Sequence, residues 1–338
     1  MDVPSEDKDA LFTEVFQHLG ELQQQSTTPL NEELFRRAER ALDVSTPRDL
    51  LWRLLQIGEG LLQAMLEDPR PLTRLLERVV LLIPFDELKS VISSEKLEEG
   101  LKSASVSIQL LCLAYLAKAS DTPSGASFVA ASSNLVQRLV TVWLSVESTE
   151  VSERALECLV SLLAVDNPDT TTVLAAENRI GEAQGQGLMW RRLFHDVQVY
   201  KLFFLWTSLS KSNHDLKSKK GQQQVTISQA RLFDFVARTF VLDWTAITTS
   251  TLPEVEADFV KSETPSQPYG GLLRYAASNM IDSNDFLMDV LRQDFFTKLL
   301  NVVQEENTRL VPPRLLEAIQ EEAGVDPSSD QGGAGVRL

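Results

Sequence analysis

The residues of this chain that could do chemistry are few, and their spacing is poor for it. Its three histidines, His18, His195 and His214, stand far apart, and neither Cys-x-x-Cys nor His-Glu-x-x-His occurs, so no metal cluster is expected. His195 and Asp196 would suit a base and its orienter beside a nucleophilic Cys158. The competing reading is structural: His195 closes one helix, Asp196 opens the next where a carboxylate satisfies free N–H groups, and Cys158 packs as a small hydrophobe, as does Cys112. Gly181, Gly185 and Gly187 superficially match a phosphate-cradling loop, but no Gly-Lys-Ser/Thr follows and no strand precedes them. A flexible connection is expected there, and Gly270-Gly271 reads the same way. Lys211, Lys217, Lys219 and Lys220 form one basic cluster, interrupted by Asp215 and without interleaved aromatics for base stacking. No catalytic, cofactor-binding or metal-binding residue is therefore assigned, and neither enzymatic turnover nor a cofactor is expected.

The charge balance points the same way. In 338 residues, 32 Lys and Arg stand against 48 Asp and Glu, a formal net charge of −16. That opposes gripping nucleic-acid phosphates or an anionic membrane and favours basic protein surfaces. Residues 1–100 already hold 20 acidic and 11 basic residues, an excess that would steer a basic partner if it lined a concave face. Two cysteines cannot staple a secreted scaffold, the first ten residues match neither a secretory leader nor a transit peptide, and no uncharged apolar run approaches the roughly 18 residues of a membrane span. A cytoplasmic or nuclear location is expected, with neither membrane nor nucleic acid as a partner.

Positioning falls to helices. Leucine-rich runs with apolar residues three and four apart recur from residue 7 to about 320, and strand-like alternation is scarce. Helices are expected at about 7–25, 30–43, from Thr46-Pro47 through Leu66, from Pro69 to Ile83, then at 85–92, 95–101, 104–119, 127–146 and 150–164. A short helix should follow Pro168 to about 179. Trp190, Phe194, Tyr200, Phe203, Phe204 and Trp206 crowd the next section, with apolar residues on two sides of the helix, which demands packing on two sides; both tryptophans are expected in the core. Residues 211–224 are almost free of apolar content and read as a mobile loop. Helices should resume at about 226–243, 254–261, 270–281, 284–292, 294–306 and 313–323, with 324–338 a disordered tail.

Residues 106–117 overlie 151–162 at a shift of 45, with Val106/Val151, Ser107/Ser152 and Leu111/Leu156 identical. That period lies within the roughly 40–47 residues of HEAT or armadillo units. The fold class expected is all-α, with residues 1–323 forming a single α-solenoid of stacked helical pairs. The helical-pair pattern, the Val151-Ser-Glu-Arg-Ala-Leu-Glu-Cys-Leu159 helix and the stretch Gly187-Leu-Met-Trp-Arg-Arg-Leu-Phe-His195 followed by Val199-Tyr-Lys-Leu-Phe-Phe204 resemble a family of proteasome assembly chaperones. This is the family of non-ATPase subunit 5 of the 26S proteasome, whose fungal members carry a mismatch-repair name. The resemblance implies a non-enzymatic protein that binds the C-terminal domain of a proteasomal ATPase subunit and assists assembly of the regulatory-particle base. The alternative is a HEAT-repeat adaptor for another complex in trafficking, phosphatase action or nuclear transport. No residue is assigned to partner binding.

Overall fold

The computed structural model of the chain describes residues 5–25, 28–62, 65, 68–168, 184–260, 268–282, 285–305 and 311–324. The short helix expected up to about 179, Gly181 and the expected tail beyond Gly324 lie outside the described residues. Among the described residues all regular structure is helical and there is no strand.

Helices pack chiefly on helices near them in sequence. α1 (Ser5–Gln24) lies on α2 (Glu32–Ala41), and α3 (Arg48–Leu62) on α4 (Arg70–Leu82). After a single turn of helix, α5 (Phe85–Leu88), α6 (Ser94–Leu101) lies on α7 (Val106–Ala119). α8 (Pro123–Ala131) precedes α9 (Ser133–Ser145), which lies on α10 (Thr149–Val165); α11 (Leu188–His195) precedes α12 (Val197–Thr207), which lies on α13 (Lys219–Phe240). The second member of each pair also touches the second member of the next, so α2, α4, α7, α10 and α13 form one continuous row. α14 (Trp244–Thr248), α15 (Pro253–Glu256) and α16 (Gly271–Arg274) follow, the last running into a π-helical turn at Tyr275–Asn279. α17 (Phe286–Glu305) packs on α13 and on α18 (Pro313–Glu322).

Local sequence explains these elements well. In α4, Leu72, Leu75, Leu76, Val79 and Val80 recur at helical spacing and are all fully buried, while Pro71 sits in the first turn, where its missing N–H costs nothing. α7 is apolar on more than one side: Leu111, Leu113, Ala114, Tyr115 and Leu116 are all buried, between α4 and α10. The segments that overlie at a shift of 45 residues are neighbours in space, and the Cys158 thiol donates to the Leu113 carbonyl, 45 positions away, at 3.4 Å. Trp143 is completely buried against the rings of Phe235 and Phe203, at 5.0 and 6.2 Å.

Several expected boundaries are corrected. The helix expected at 127–146 is two, because Ser132 ends α8 in an extended conformation and caps α9 by accepting from the Leu135 N–H; α8 itself begins at Pro123, with Thr122 as its cap. The loop expected to reach residue 224 ends at Ser218, which accepts from the Gly221 N–H at 2.9 Å and starts α13 at Lys219. Its first turns are polar because that side faces solvent, so apolar periodicity begins later than the helix. The two helices expected over 284–292 and 294–306 are, among the described residues, the single helix α17, and those of 254–260 hold only part of the one turn of α15. Trp190 is buried as expected and donates to the Leu163 carbonyl at 3.0 Å. Trp206 is only half-buried: its ring meets His214 edge-on at 4.9 Å, and its Nε1 has no hydrogen-bond partner among the described residues.

The join between α10 and α11 rests on one carboxylate. Asp166 is completely buried; its Oδ1 accepts from the Gln186 N–H at 2.9 Å and its Oδ2 from the Met189 N–H at 2.6 Å, while its carbonyl accepts from the Gly187 N–H at 2.9 Å. Gly187, with φ of 68°, makes this turn possible. The acceptors at the start of α11 are thus supplied by the protein itself, and Gly185 and Gly187 serve that contact. Asp166→Ala strands the buried Met189 N–H and is expected to cost about 1–3 kcal/mol in a denaturant titration, with Asp166→Asn intermediate.

Gly221 and Gly125 share a second local device, the third helical residue after a Ser or Thr cap. An added methyl would lie 1.9 Å from the Asp215 carbonyl oxygen at Gly221 and 2.1 Å from that of Ala119 at Gly125. Gly221→Ala should therefore destabilise the chain by about 1–3 kcal/mol through overpacking, although alanine is the better helix former by about 1 kcal/mol. A thermal melt that rises on this substitution would contradict the geometry.

Candidate partner-binding surface

The chemistry-bearing residues singled out in the sequence do not converge. The His18 ring lies beside Phe35 and its Nε2 accepts from the Asn31 N–H at 3.1 Å. His214 Nε2 is 3.0 Å from the Ser228 hydroxyl, and burial, then the Arg231 charge, holds this imidazole below its usual pKa. Cys158 is buried, with its thiol pushed up to about 12 by burial, so it is not a thiolate near neutrality. His195 is exposed and lines a depression of about 710 Å³ between α8 and α11, together with Arg191, Arg192 and Val197; Cys158 takes no part in it. Asp196 caps α12 as expected, accepting from the Gln198 N–H at 2.9 Å. Burial works against its charge, but bonds from Ser133, Arg192 and Gln198 outweigh that and hold its pKa below the usual carboxylate value. The expected basic cluster is dispersed into separate contacts: Lys211 donates to the Asp258 carbonyl at 2.7 Å, and Lys220 pairs with Glu147. Among the described residues no group of three or more His, Cys, Asp or Glu is placed to hold a metal ion, and no helix is long and apolar enough to cross a membrane.

What the tertiary structure does assemble is a polar strip along the row α2–α4–α7–α10. Two adjoining depressions, of about 360 and 420 Å³, share Asp68, Arg70 and Arg74 as a common wall. The first is bounded by Glu32, Arg36 and Glu39 of α2; the second runs from Thr73 and Glu77 of α4 past Ser107 and Leu110 of α7 to Glu150 of α10. The charged residues lining both are five acids, Glu32, Glu39, Asp68, Glu77 and Glu150, and three arginines, so the strip is net acidic. Arg36 is already held by Glu33 at 2.8 Å, and Asp68 accepts from the Ser107 hydroxyl at 3.2 Å, tying α7 to the start of α4. Arg70 and Arg74 form no ion pair among the described residues.

Glu77 stands out in this strip. Burial pushes its pKa up to about 7; Arg154 and Arg74 pull it down, while Glu150 and Glu39 push it up. Neither Glu77 nor its neighbours were assigned a role from the sequence, because each is an ordinary polar position on an amphipathic helix. The available signal is weak: the polar residues lie on helices that also carry the apolar stripe.

No protein-family model matches the chain, and no curated protein is significantly similar to it. The arrangement itself can receive a protein surface: it is elongated, spans consecutive helices and presents both signs of charge with acids in excess.

The raised pKa of Glu77 has a definite consequence for stability. Unfolded, it titrates near 4.5; folded, near 7. Below about pH 4.5 both states hold the proton; between about 4.5 and 7 the unfolded state gives it up first, so stability falls across that window and the full cost of ionising the half-buried Glu77 is carried above 7. Glu77→Gln should therefore change nothing at pH 4 and stabilise the chain at pH 8, by on the order of 1–2 kcal/mol after solvent screening. Urea midpoints of the two proteins at both pH values check this.

Proposed function

We propose that this chain is a non-enzymatic α-solenoid that binds a folded domain of a protein partner along the strip of α2, α4, α7 and α10. Consecutive helical pairs linked through one row of second helices are what a solenoid requires, and such arrays offer extended surfaces to partner domains. The observation that carries the reading is the pair of adjoining depressions across four successive helices of that row, net acidic in lining. A basic face on the partner complements it, and such complementarity acts mainly on encounter rate and specificity.

The resemblance of residues 151–159 and 187–204 supports naming the partner as the C-terminal domain of a proteasomal ATPase subunit, bound during assembly of the regulatory-particle base in the cytoplasm or nucleus. Gentle purification from native cells should recover regulatory-particle ATPases in assembly intermediates. Consistent recovery of a phosphatase or transport partner, with no proteasomal subunit, would overturn the chaperone assignment and leave the binding role intact. With a purified partner, raised salt should slow association more than it speeds dissociation, and Glu39→Lys/Glu150→Lys should weaken binding by about tenfold or more. Unchanged affinity in that double variant would remove the strip from the interface.

A further inference from the structure

The first turn of α17 departs from the face on which it stands. Gln293, Asp294, Thr297 and Lys298, further along the outward face, are exposed and polar. Before them come Phe286, Leu287 and Val290, at 83%, 56% and 42% exposure. Their spacing of i, i+1 and i+4 gathers them into one patch over the first turn. The helix does not need them for its own packing, because Met288, Phe295, Phe296, Leu299 and Leu300 fill its buried face. Contiguous apolar surface of this kind marks an interaction site more often than scattered exposed residues do.

The charges beside the patch narrow the occupant. Asp285, whose Oδ1 accepts from the Leu287 N–H at 2.9 Å, and Asp289 border the patch along the chain, and Arg292 is the one basic residue between positions 282 and 292. Arg292 is already engaged, by Asp289 at 3.6 Å and by Glu322. A second copy of the chain would bring the same aspartates and its own net charge of −16, and an anionic bilayer would likewise be repelled. An amphipathic helix with Lys or Arg beside its apolar stripe meets both features: its apolar side covers Phe286, Leu287 and Val290 while its cations face the aspartates.

We propose that the start of α17 is a docking surface for a basic amphipathic helix of a partner protein. The site is independent of the strip proposed above, since α17 packs on α13 and α18 and makes no principal contact with α2, α4, α7 or α10. The test uses the full chain and a fluorescein-labelled 18-residue peptide of leucine and lysine at amphipathic spacing, followed by anisotropy. Phe286→Ser/Leu287→Ser should weaken binding by at least about tenfold, as loss of a buried aromatic anchor does. Ile227→Ser, which removes another exposed apolar residue, 42% exposed on α13, should change it less than about twofold. A leucine and glutamate peptide of the same spacing should not bind. Because the substituted side chains are exposed, circular dichroism melts of both variants should match the parent.

Equal affinity of the double variant for the leucine and lysine peptide would overturn the proposal, showing that the peptide adheres by charge alone. So would a dimer in sedimentation, or flotation with phosphatidylcholine and phosphatidylserine vesicles, that the double variant abolishes.

Discussion

A helix that is apolar on more than one side is stable only between neighbours, and this constraint organises the chain. In α7 the residues from Leu111 to Leu116 are buried without a break, so no single partner helix could cover them. α4 takes one side and α10 another, with α6 and α8 closing the remainder. Each buried leucine contributes about 1.5–3 kcal/mol relative to exposure, which makes an uncovered side of α7 untenable. The same requirement passes along the row to α10 and α13. α10 buries Ala155, Leu156, Leu159, Leu162 and Leu163, and α13 meets the aromatic group of Trp143, Phe203 and Phe235. Helices are thus held by sequential neighbours, and the row is the physical outcome.

Once the apolar sides are committed to neighbours, polar positions of α2, α4, α7 and α10 are left together on one surface. The strip follows from the burial rather than competing with it, with one exception. Glu77 is half-buried on α4, where desolvation and the carboxylates of Glu150 and Glu39 disfavour its charge. Positions where local preference and global packing conflict are expected at functional surfaces.

The strip and the start of α17 differ in chemistry. The first is polar with a modest excess of acids; the second is apolar, flanked by aspartates.

What the sequence determines by itself is the helical composition and much of the order of helices, because spacing of three and four and cap residues act within a few positions. The α4 stripe, the cap at Asp196 and the kinship of residues 106–117 with 151–162 are all legible, and the last becomes the Cys158 to Leu113 contact. Boundaries set by a local hydroxyl against an apolar pattern, as at Ser132 and Ser218, are harder to read, because the cap acts where the stripe is silent. Only the tertiary structure decides the rest. Asp166, which has no role legible in its local sequence, is a buried clamp on groups 20 and 23 residues away, and Trp206 reads as core and is partly buried against it. The pKa of Glu77 depends on charges from α2 and α10 that no local window contains. The physical reason is range: helix formation is settled within a turn or two, whereas burial, charge environment and the grouping of surface residues depend on which distant helices arrive beside them.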